Sequence, residues 1–356
     1  MSNSNSFSQT LREKLNGVAN RELDLTSCGA ALVDTEIAVE DAALTSLRID
    51  KGVMTLVDKE QRESLLKFFA EDLKTAEKSG GGSAANSLIT ASLLGKKSFL
   101  SCRVGQDDNG HQFLRDMANA GVSTNRNAQG CDETTGQCLV MISPDAERTM
   151  CTHLGASALL SKKEVDEKAI STAKILYIEG YQVAADAGYE GSLYAFDVAK
   201  KADTITAMSL SDPAMATYFN ERIHTFLEQG VDILFCNEDE ARATAKLDKL
   251  EEAIEQIKHH CELLVVTQGE NGALLVSESG QHSVSGVPTK AIDTNGAGDT
   301  FAGAFLSKLL DDASLAECAQ FANRAASLVV SQYKPRLDRG TLQALRAEQV
   351  LAAKAS

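Results

Sequence analysis

The chain predicts an α/β fold: a three-layer α/β/α sandwich around a mostly parallel central sheet, with a small β-sheet set over it as a lid. Two observations carry this expectation. From about residue 160 onward, apolar runs of about five residues alternate with segments of helical periodicity, the pattern of βαβ units whose strands are buried on both faces. Before residue 155, apart from two core strands, the strand-like runs are half polar, as in antiparallel strands that keep one face toward water.

Taken in order, residues 1–20 open on the polar run MSNSNSFSQT and read as a disordered tail. LTSCGAALVD (25–34) reads as one core strand ending on Asp34. The following TEIAVEDAALTSLRIDKGVMTLVD alternates weakly, carries no helical stripe and falls to the lid. LLKFFAEDLKTAEKS reads as a charged amphipathic helix that leads into a glycine cluster. FLSCRVG (99–105) is a second core strand, and CLVMIS (138–143) with RTMCTHLG (148–155) reads as a hairpin about a Pro-Asp turn. Beyond the charged helix SKKEVDEKAIST come the strands ILYIEG (175–180), TITAMSL (204–210), DILFCN (232–237) and LLVVTQG (263–269), each preceded by a helix. The expected division is therefore a tail at 1–20, a core of 21–34, 61–130 and 156–356, and a lid of 35–60 with 131–155.

Composition removes several function classes. The 356 residues carry 35 Lys+Arg against 50 Asp+Glu, a net charge of −15, with no basic stripe. That argues against a nucleic-acid partner, since phosphate neutralisation needs concentrated Lys and Arg. A hydrophobic share of 43% is that of a folded chain. The eight cysteines form no CxxC pair and the six histidines have no metal spacing, so neither a disulfide framework nor zinc is expected. The first residues lack a basic end followed by an apolar run, and no apolar stretch approaches the roughly 20 residues of a membrane span. A cytoplasmic protein without a membrane partner is expected.

The strongest chemical signal is Asp293-Thr294-Asn295-Gly296-Ala297-Gly298-Asp299-Thr300-Phe301, followed by AGAFLSKLL. Phe301, Phe305 and Leu309 recur at i, i+4 and i+8 and define a helix face. Gly296, Ala297 and Gly298 therefore form the turn that opens the helix. Small residues there leave backbone N–H groups uncovered at the positive end of the dipole, an anion cradle. A carboxylate beside that cradle, Asp299, suits a base that takes a hydroxyl proton while the cradle steadies a migrating phosphoryl group. A bare GxGD would read as a helix cap; the full run with Asp293 and Thr300 favours the chemistry.

Gly80-Gly81-Gly82-Ser83-Ala84-Ala85-Asn86 matches G-x-G-x-x-A as a string, but the expected helix before it is the wrong context for a dinucleotide fingerprint. It reads instead as a close approach of backbone to a ligand, with Asn86 one turn into a helix and able to bond a hydroxyl. Asp34, Asn237 and Thr267-Gln268-Gly269 end strands, where open α/β sheets bind ligands. Asn237 and Glu240 share a face three residues apart, suited to a magnesium-bound water or, equally, to capping. Arg148 is a cation in the expected lid, available to a phosphate.

Together these residues resemble the PfkB, or ribokinase-like, family of ATP-dependent sugar and nucleoside kinases. DTNGAGDTFAGAF resembles its C-terminal signature, and the glycine cluster with LLGKKSFLSCRVGQDDNG its N-terminal one. The likeness runs from about Leu25 to Val330, and the adenosine kinases are its nearest branch, with VDILFCNEDEA and VTQG alike there too. The resemblance implies Asp299 as base and Gly296, Ala297 and Gly298 as anion hole. It implies Asp34, Gly81, Gly82 and Asn86 on the acceptor's hydroxyls and Arg148 in the lid on a phosphate. It implies Asn237 and Glu240 tied to Mg2+, Glu240 through water, with Thr267, Gly269 and Asn323 along the ATP site. Asp293 and Asn295 fall where some members bind a monovalent cation such as K+. The chain has no Trp, so Tyr181 is the one aromatic expected near a base, with Met54 and Leu56 on the opposite wall. The implied function is transfer of the γ-phosphoryl of ATP to a primary hydroxyl of a nucleoside, with a free carbohydrate (ribose, fructose or 2-keto-3-deoxygluconate) or a non-catalytic ligand binder as rivals. A monomer or a lid-mediated homodimer both remain open.

Overall fold

The computed structural model describes residues 9–145 and 147–355. Its central sheet has nine strands. Seven run parallel, in the order Cys261–Thr267, Val231–Asn237, Ile205–Ser209, Ala173–Glu179, Leu23–Cys28, Ser98–Ser101 and Val122–Thr124, and an antiparallel pair, Ala273–Ser277 and Gly280–Val284, extends one edge. The unbroken apolar runs are explained by burial on both faces. Ile175, Tyr177, Ile233 and Phe235 join one core with the helices Ser83–Leu93, Ala297–Leu309 and Leu315–Val329, while Leu176, Ile178, Leu234 and Cys236 join a second with Asp186–Lys201 and Asn220–Glu228. Adjacent residues thus serve opposite layers, each fully buried aliphatic contributing about 1.5–3 kcal/mol. Phe301, Phe305 and Leu309 are buried on one helix face as their spacing predicts, with the ring of Phe305 edge-on to Phe235 at 5.5 Å.

A second sheet of five strands, in the order Met54–Leu56, Arg148–His153, Gly136–Ile142, Leu32–Ala38 and Glu77–Gly81, forms the lid. Its outer face (Ile37, Leu139, Met141, Cys151) is covered by Leu44 of the helix Asp41–Leu47 and by Leu65 of Lys59–Phe68.

Five sequence expectations need correction. Residues 9–18 of the expected tail form a helix whose Leu11 and Val18 are buried and whose Lys14 pairs with buried Asp232; the stripe is hidden behind the Ser/Asn-rich start. Residues 1–8 lie outside the described chain. LTSCGAALVD is two strands in two sheets, because Ala30 N–H and Ala31 N–H leave the ladder and donate to Glu179 Oε1 and Ser157 Oγ at 2.6 and 2.9 Å. FLSCRVG divides likewise: Ser98–Ser101 stays central while Val104–Gly105 pairs with Gln129–Cys131. The segment after Asp34 does hold a short helix, but with Leu44 as its single buried residue it shows no stripe. Finally, the helix expected to lead into the glycines stops short of them: residues 65–68 close the helix Lys59–Phe68, Asp72–Lys74 is a 3₁₀ turn, and Glu77–Gly81 is a lid strand paired antiparallel with Leu32–Glu36. Its exposed Glu-Lys start masks it, and it lengthens the lid beyond residue 60. As an antiparallel edge it still lacks the central parallel strand that a dinucleotide fingerprint requires.

Candidate active site

The strands Leu23–Cys28 and Ala173–Glu179 lie side by side. Leu23–Cys28 has Ser98–Ser101 as its other neighbour and Ala173–Glu179 has Ile205–Ser209, so the winding reverses between them. Such a reversal opens a crevice at the carboxyl ends of the strands, and a cavity of about 780 Å³ lies there, roofed by the inner face of the lid. Glu179, fully buried at the end of its strand, staples the floor. Its Oε1 accepts from Ala30 N–H and from Gln182 Nε2 (2.7 Å), and Oε2 accepts from Ala84 N–H (2.6 Å). Burial nevertheless holds its carboxyl above the usual range.

Two glycine turns face each other across this floor. Gly82 has φ +101°, and a Cβ there would lie 2.4 Å from Ala30 O; Gly296 has φ +73°, and a Cβ would lie 2.0 Å from Pro335 O. Both positions exclude side chains through backbone conformation and close approach. Gly296 caps the helix Ala297–Leu309, whose first N–H groups have no intrahelical partners. Ala297 N–H turns back to Thr294 O at 3.2 Å. Open space lies where a Gly298 side chain would be, and Gly296 and Gly298 both line the cavity.

Asp299 stands in that first turn and is gripped from the opposite turn. Ser83 Oγ donates to its Oδ1 at 2.6 Å and Asn86 Nδ2 to its Oδ2 at 2.9 Å. Burial raises its pKa, while these two bonds and the Arg336 charge pull it back; the net direction is upward. Asp34, now placed inside a lid strand, backs onto Gly81 and faces the same cavity; burial pushes it up to about 7 against the Arg336 charge.

The other expected residues separate into two groups. Met54, Leu56, Tyr181, Asn237, Glu240, Thr267, Asp293 and Asn295 all line the cavity. Tyr181 faces the carboxylates Asp212, Asp299, Glu240 and Glu179, and its hydroxyl bonds Asp212. Asn237 and Glu240 form a reciprocal capping box: Asn237 Oδ1 accepts from Glu240 N–H (2.8 Å) while Glu240 accepts from Asn237 N–H and Nδ2 (3.0 and 2.8 Å). Burial pushes Glu240 up to about 7. Gly269 and Asn323 do not reach the cavity wall; Gly269 opens a short 3₁₀ turn, and Asn323 Nδ2 ties down the carbonyls of Val284 and Ser285 at 3.2 and 3.1 Å.

Arg148 lines the cavity as well, as a paired cation. It is not a free lid cation: Nη1 meets Glu36 Oε1 at 3.1 Å, Nε meets Asp293 Oδ1 at 2.5 Å, and Nη2 donates to Tyr333 O at 3.1 Å. Asp293 Oδ1 also accepts Asn295 N–H at 3.0 Å. A guanidinium thus already stands beside Asp293, while Asp293 Oδ2 is buried without a hydrogen-bond partner. Mg2+ keeps most of its waters and needs only one or two carboxylates besides phosphate oxygens. The wall residues Glu240, Asp239 and Asn237 meet that requirement, although no cluster of three or more His, Cys, Asp or Glu among the described residues is placed to cage a metal.

Sequence reasoning missed Ser83, Glu179, Asp212 and Arg336. Ser83 and Glu179 sit within motifs already singled out, one residue beyond the glycines and at the end of ILYIEG. Arg336 gave no signal: its partner Asn86 is 250 residues away.

The pfkB family carbohydrate kinase model matches residues 59–340. A ribokinase of Haemophilus influenzae is 27% identical over 259 residues (71% of this chain, 81% of the relative), and adenosine kinase 2 of Arabidopsis thaliana is 27% identical over 338 residues (86% and 94%). Among solved structures, a probable sugar kinase from Rhizobium etli superimposes with a TM-score of 0.86 at 29% identity, covering 93% of this chain and 99% of that one. The adenosine kinase of Sinorhizobium meliloti gives 0.85 at 29%, covering 92% and 99%. No helix among the described residues is long and apolar enough to cross a membrane. With the family model spanning most of a ribokinase-like α/β fold, the chain belongs to the pfkB family of carbohydrate kinases, phosphotransferases that use ATP and Mg2+ and take an alcohol as acceptor.

Proposed function

We propose that the chain transfers the γ-phosphoryl group of ATP to a primary hydroxyl of a nucleoside, adenosine or a close relative, with Asp299 as the base. The observation that carries the reaction is the placement of Asp299 between the anion turn and the acceptor turn, bonded to Ser83 and Asn86 in the wall of one cavity. Asp299 takes the hydroxyl proton as the acceptor oxygen bonds to the γ-phosphorus and the bond to the leaving ADP oxygen breaks. The N–H groups at Gly296 and Gly298 meet the developing charge at the helix N-terminus. Glu240 and Asn237 would hold the water shell of a magnesium ion, which would supply charge neutralisation at the phosphates. Asp34 and Asn86 orient the acceptor, and the lid above excludes water that would otherwise consume ATP.

The nucleoside reading is supported by the wall beside Asp34, most of it the inner face of the same lid sheet. Met54, Leu56, Val140, Met150 and Met215 give the cavity a broad apolar side, which suits a flat base and offers a free sugar nothing to bond. A free-sugar acceptor is the second reading, favoured by the likeness to ribokinase and by a chain with no Trp to stack on a purine.

The test is ADP release with Mg·ATP against adenosine, inosine, guanosine, cytidine, ribose, fructose and 2-keto-3-deoxygluconate. Turnover with a nucleoside and none with free sugars is expected; the reverse leaves the chemistry and replaces the acceptor. Asp299→Asn is expected to lower kcat by about 10²–10⁴ while acceptor binding persists. Near-full activity in that variant removes Asp299 from the base role.

A further inference from the structure

Arg336 lies in the loop between the helices Leu315–Val329 and Arg339–Ala355, outside the motifs that carry the family likeness. Its Nη1 donates to Gly80 O and, at 3.3 Å, to Asn86 Oδ1. A carboxamide has one accepting and one donating end. A donor placed on Oδ1 therefore turns Nδ2 the other way, toward Asp299 Oδ2. The result is a relay from Arg336 through Asn86 to Asp299.

The same loop touches the other parts of the site. Pro335 O packs under Gly296, and Tyr333 O accepts from Arg148 of the lid. Four consecutive residues, 333–336, thus bear on the lid, the anion turn and the acceptor turn. The Arg336 charge also faces Asp34, Asp116 and Asp299.

We propose that Arg336 is a positioning residue of the acceptor site: from beneath the glycine turn it fixes the Asn86 carboxamide toward Asp299 and brings its charge to bear on Asp34. This rests on the reading of Asp34, Asn86 and Asp299 as the acceptor end of the cavity. Asp34 is faced by Arg336 and Arg148, which favour its charge, and by Glu36, Asp299 and the Cys138 thiol, which do not. Burial has already pushed Asp34 up to about 7, and Arg336 is the larger of the two opposing charges. Its removal therefore moves Asp34 further up and leaves less of it ionised at neutral pH.

The experiment measures kcat and the KM of acceptor and of Mg·ATP across pH for the wild type, R336Q, R336K and D34N, with thermal melts for each. In R336Q the acceptor KM is expected to rise about tenfold and the acid limb of kcat/KM for acceptor to move up by about one pH unit, while the KM of Mg·ATP stays put. R336K, which keeps a charge without the planar fork, is expected to return the limb toward the wild-type position. A folded R336Q with wild-type acceptor KM and limb overturns the proposal. Should R336Q fail to fold, R336K decides: a raised acceptor KM beside an unchanged Mg·ATP KM supports it, and an unchanged acceptor KM overturns it. D34N separates the two levels. If D34N leaves the acceptor KM unchanged, the acceptor site is elsewhere and the proposal falls with that reading; if D34N raises it and R336Q does not, the role of Arg336 alone falls.

Discussion

Deleting the Ser83 hydroxyl isolates how the proposed base is tuned. Ser83 Oγ donates to Asp299 Oδ1 at 2.6 Å, and Ser83→Ala removes that bond while keeping the backbone carbonyl that accepts from Ser87 Oγ. A hydrogen bond to a charged group contributes about 1.5–3 kcal/mol, and one pK unit is worth about 1.36 kcal/mol, so Asp299 is expected to move by about 1–2 units. The sign follows from which form the bond favours. It stabilises the carboxylate, so its loss favours the acid, and the proton leaves at higher pH. Burial already acts in the same direction on Asp299, and Asn86 Nδ2 remains as a single opposing donor. The assay is kcat against pH at saturating acceptor and Mg·ATP, where the acid limb reports the base in the ternary complex. An upward shift of about 1–2 units supports the assignment. A limb that stays in place, or moves down, refutes the reasoning, even if kcat itself falls, because then the hydroxyl positions a ligand and does not tune this carboxylate.

Two further substitutions test the frame around the site. Arg148→Met leaves Asp293, with a side chain only 1% exposed, buried without its partner; the expected cost is about 3–5 kcal/mol in urea unfolding, and a change under about 1 kcal/mol removes the pair from the stability of the loop. Glu179→Gln keeps an oxygen for Ala30 N–H but sets an NH₂ against Ala84 N–H, where Oε2 now accepts at 2.6 Å. One unmet donor costs about 1–3 kcal/mol, and the shifted turn is expected to lower kcat as well as the melting temperature; an unchanged kcat separates the staple from the chemistry.

What the sequence displayed was whatever is contiguous. DTNGAGDTF carries its turn, its cap and its carboxylate within nine residues, so spacing alone places Asp299 beside the anion turn. Six of the seven parallel strands were equally plain, because burial on both faces leaves an unbroken apolar run; the edge strand Val122–Thr124, with one buried residue, was not. Three kinds of feature stayed hidden. LTSCGAALVD changes sheet at Gly29–Ala31 through bonds to Glu179 and Ser157, and an apolar run shows no trace of which sheet it joins. Glu77–Gly81 is an exposed edge, held by its ladder to Leu32–Glu36 and not by apolar side chains. Arg148 and Arg336 gain their meaning from Asp293 and Asn86, far away in the chain. A cation in a loop reads the same whether it is solvated or paired.

The site sets stability and competence against one another. Asp34, Glu179, Asp212, Glu240, Asp293 and Asp299 all have pKa values above the usual carboxylate range, each chiefly through burial. Groups raised on folding give stability that is fully present below their unfolded pKa and is lost as pH rises through the folded one. For Asp34 and Glu240 that loss runs from about pH 4 to about 7. Under the proposed function, Asp34 over the same interval becomes the charged acceptor for the substrate's hydroxyls, so readiness and folding stability have opposite slopes. Arg148 and Arg336 are the buried or half-buried cations that temper this, and both are held by the loop at 333–336 or reside in it. That loop lies beyond the signature helix Ala297–Leu309. Through these two arginines it opposes the upward shift at three of the six, Asp34, Asp293 and Asp299.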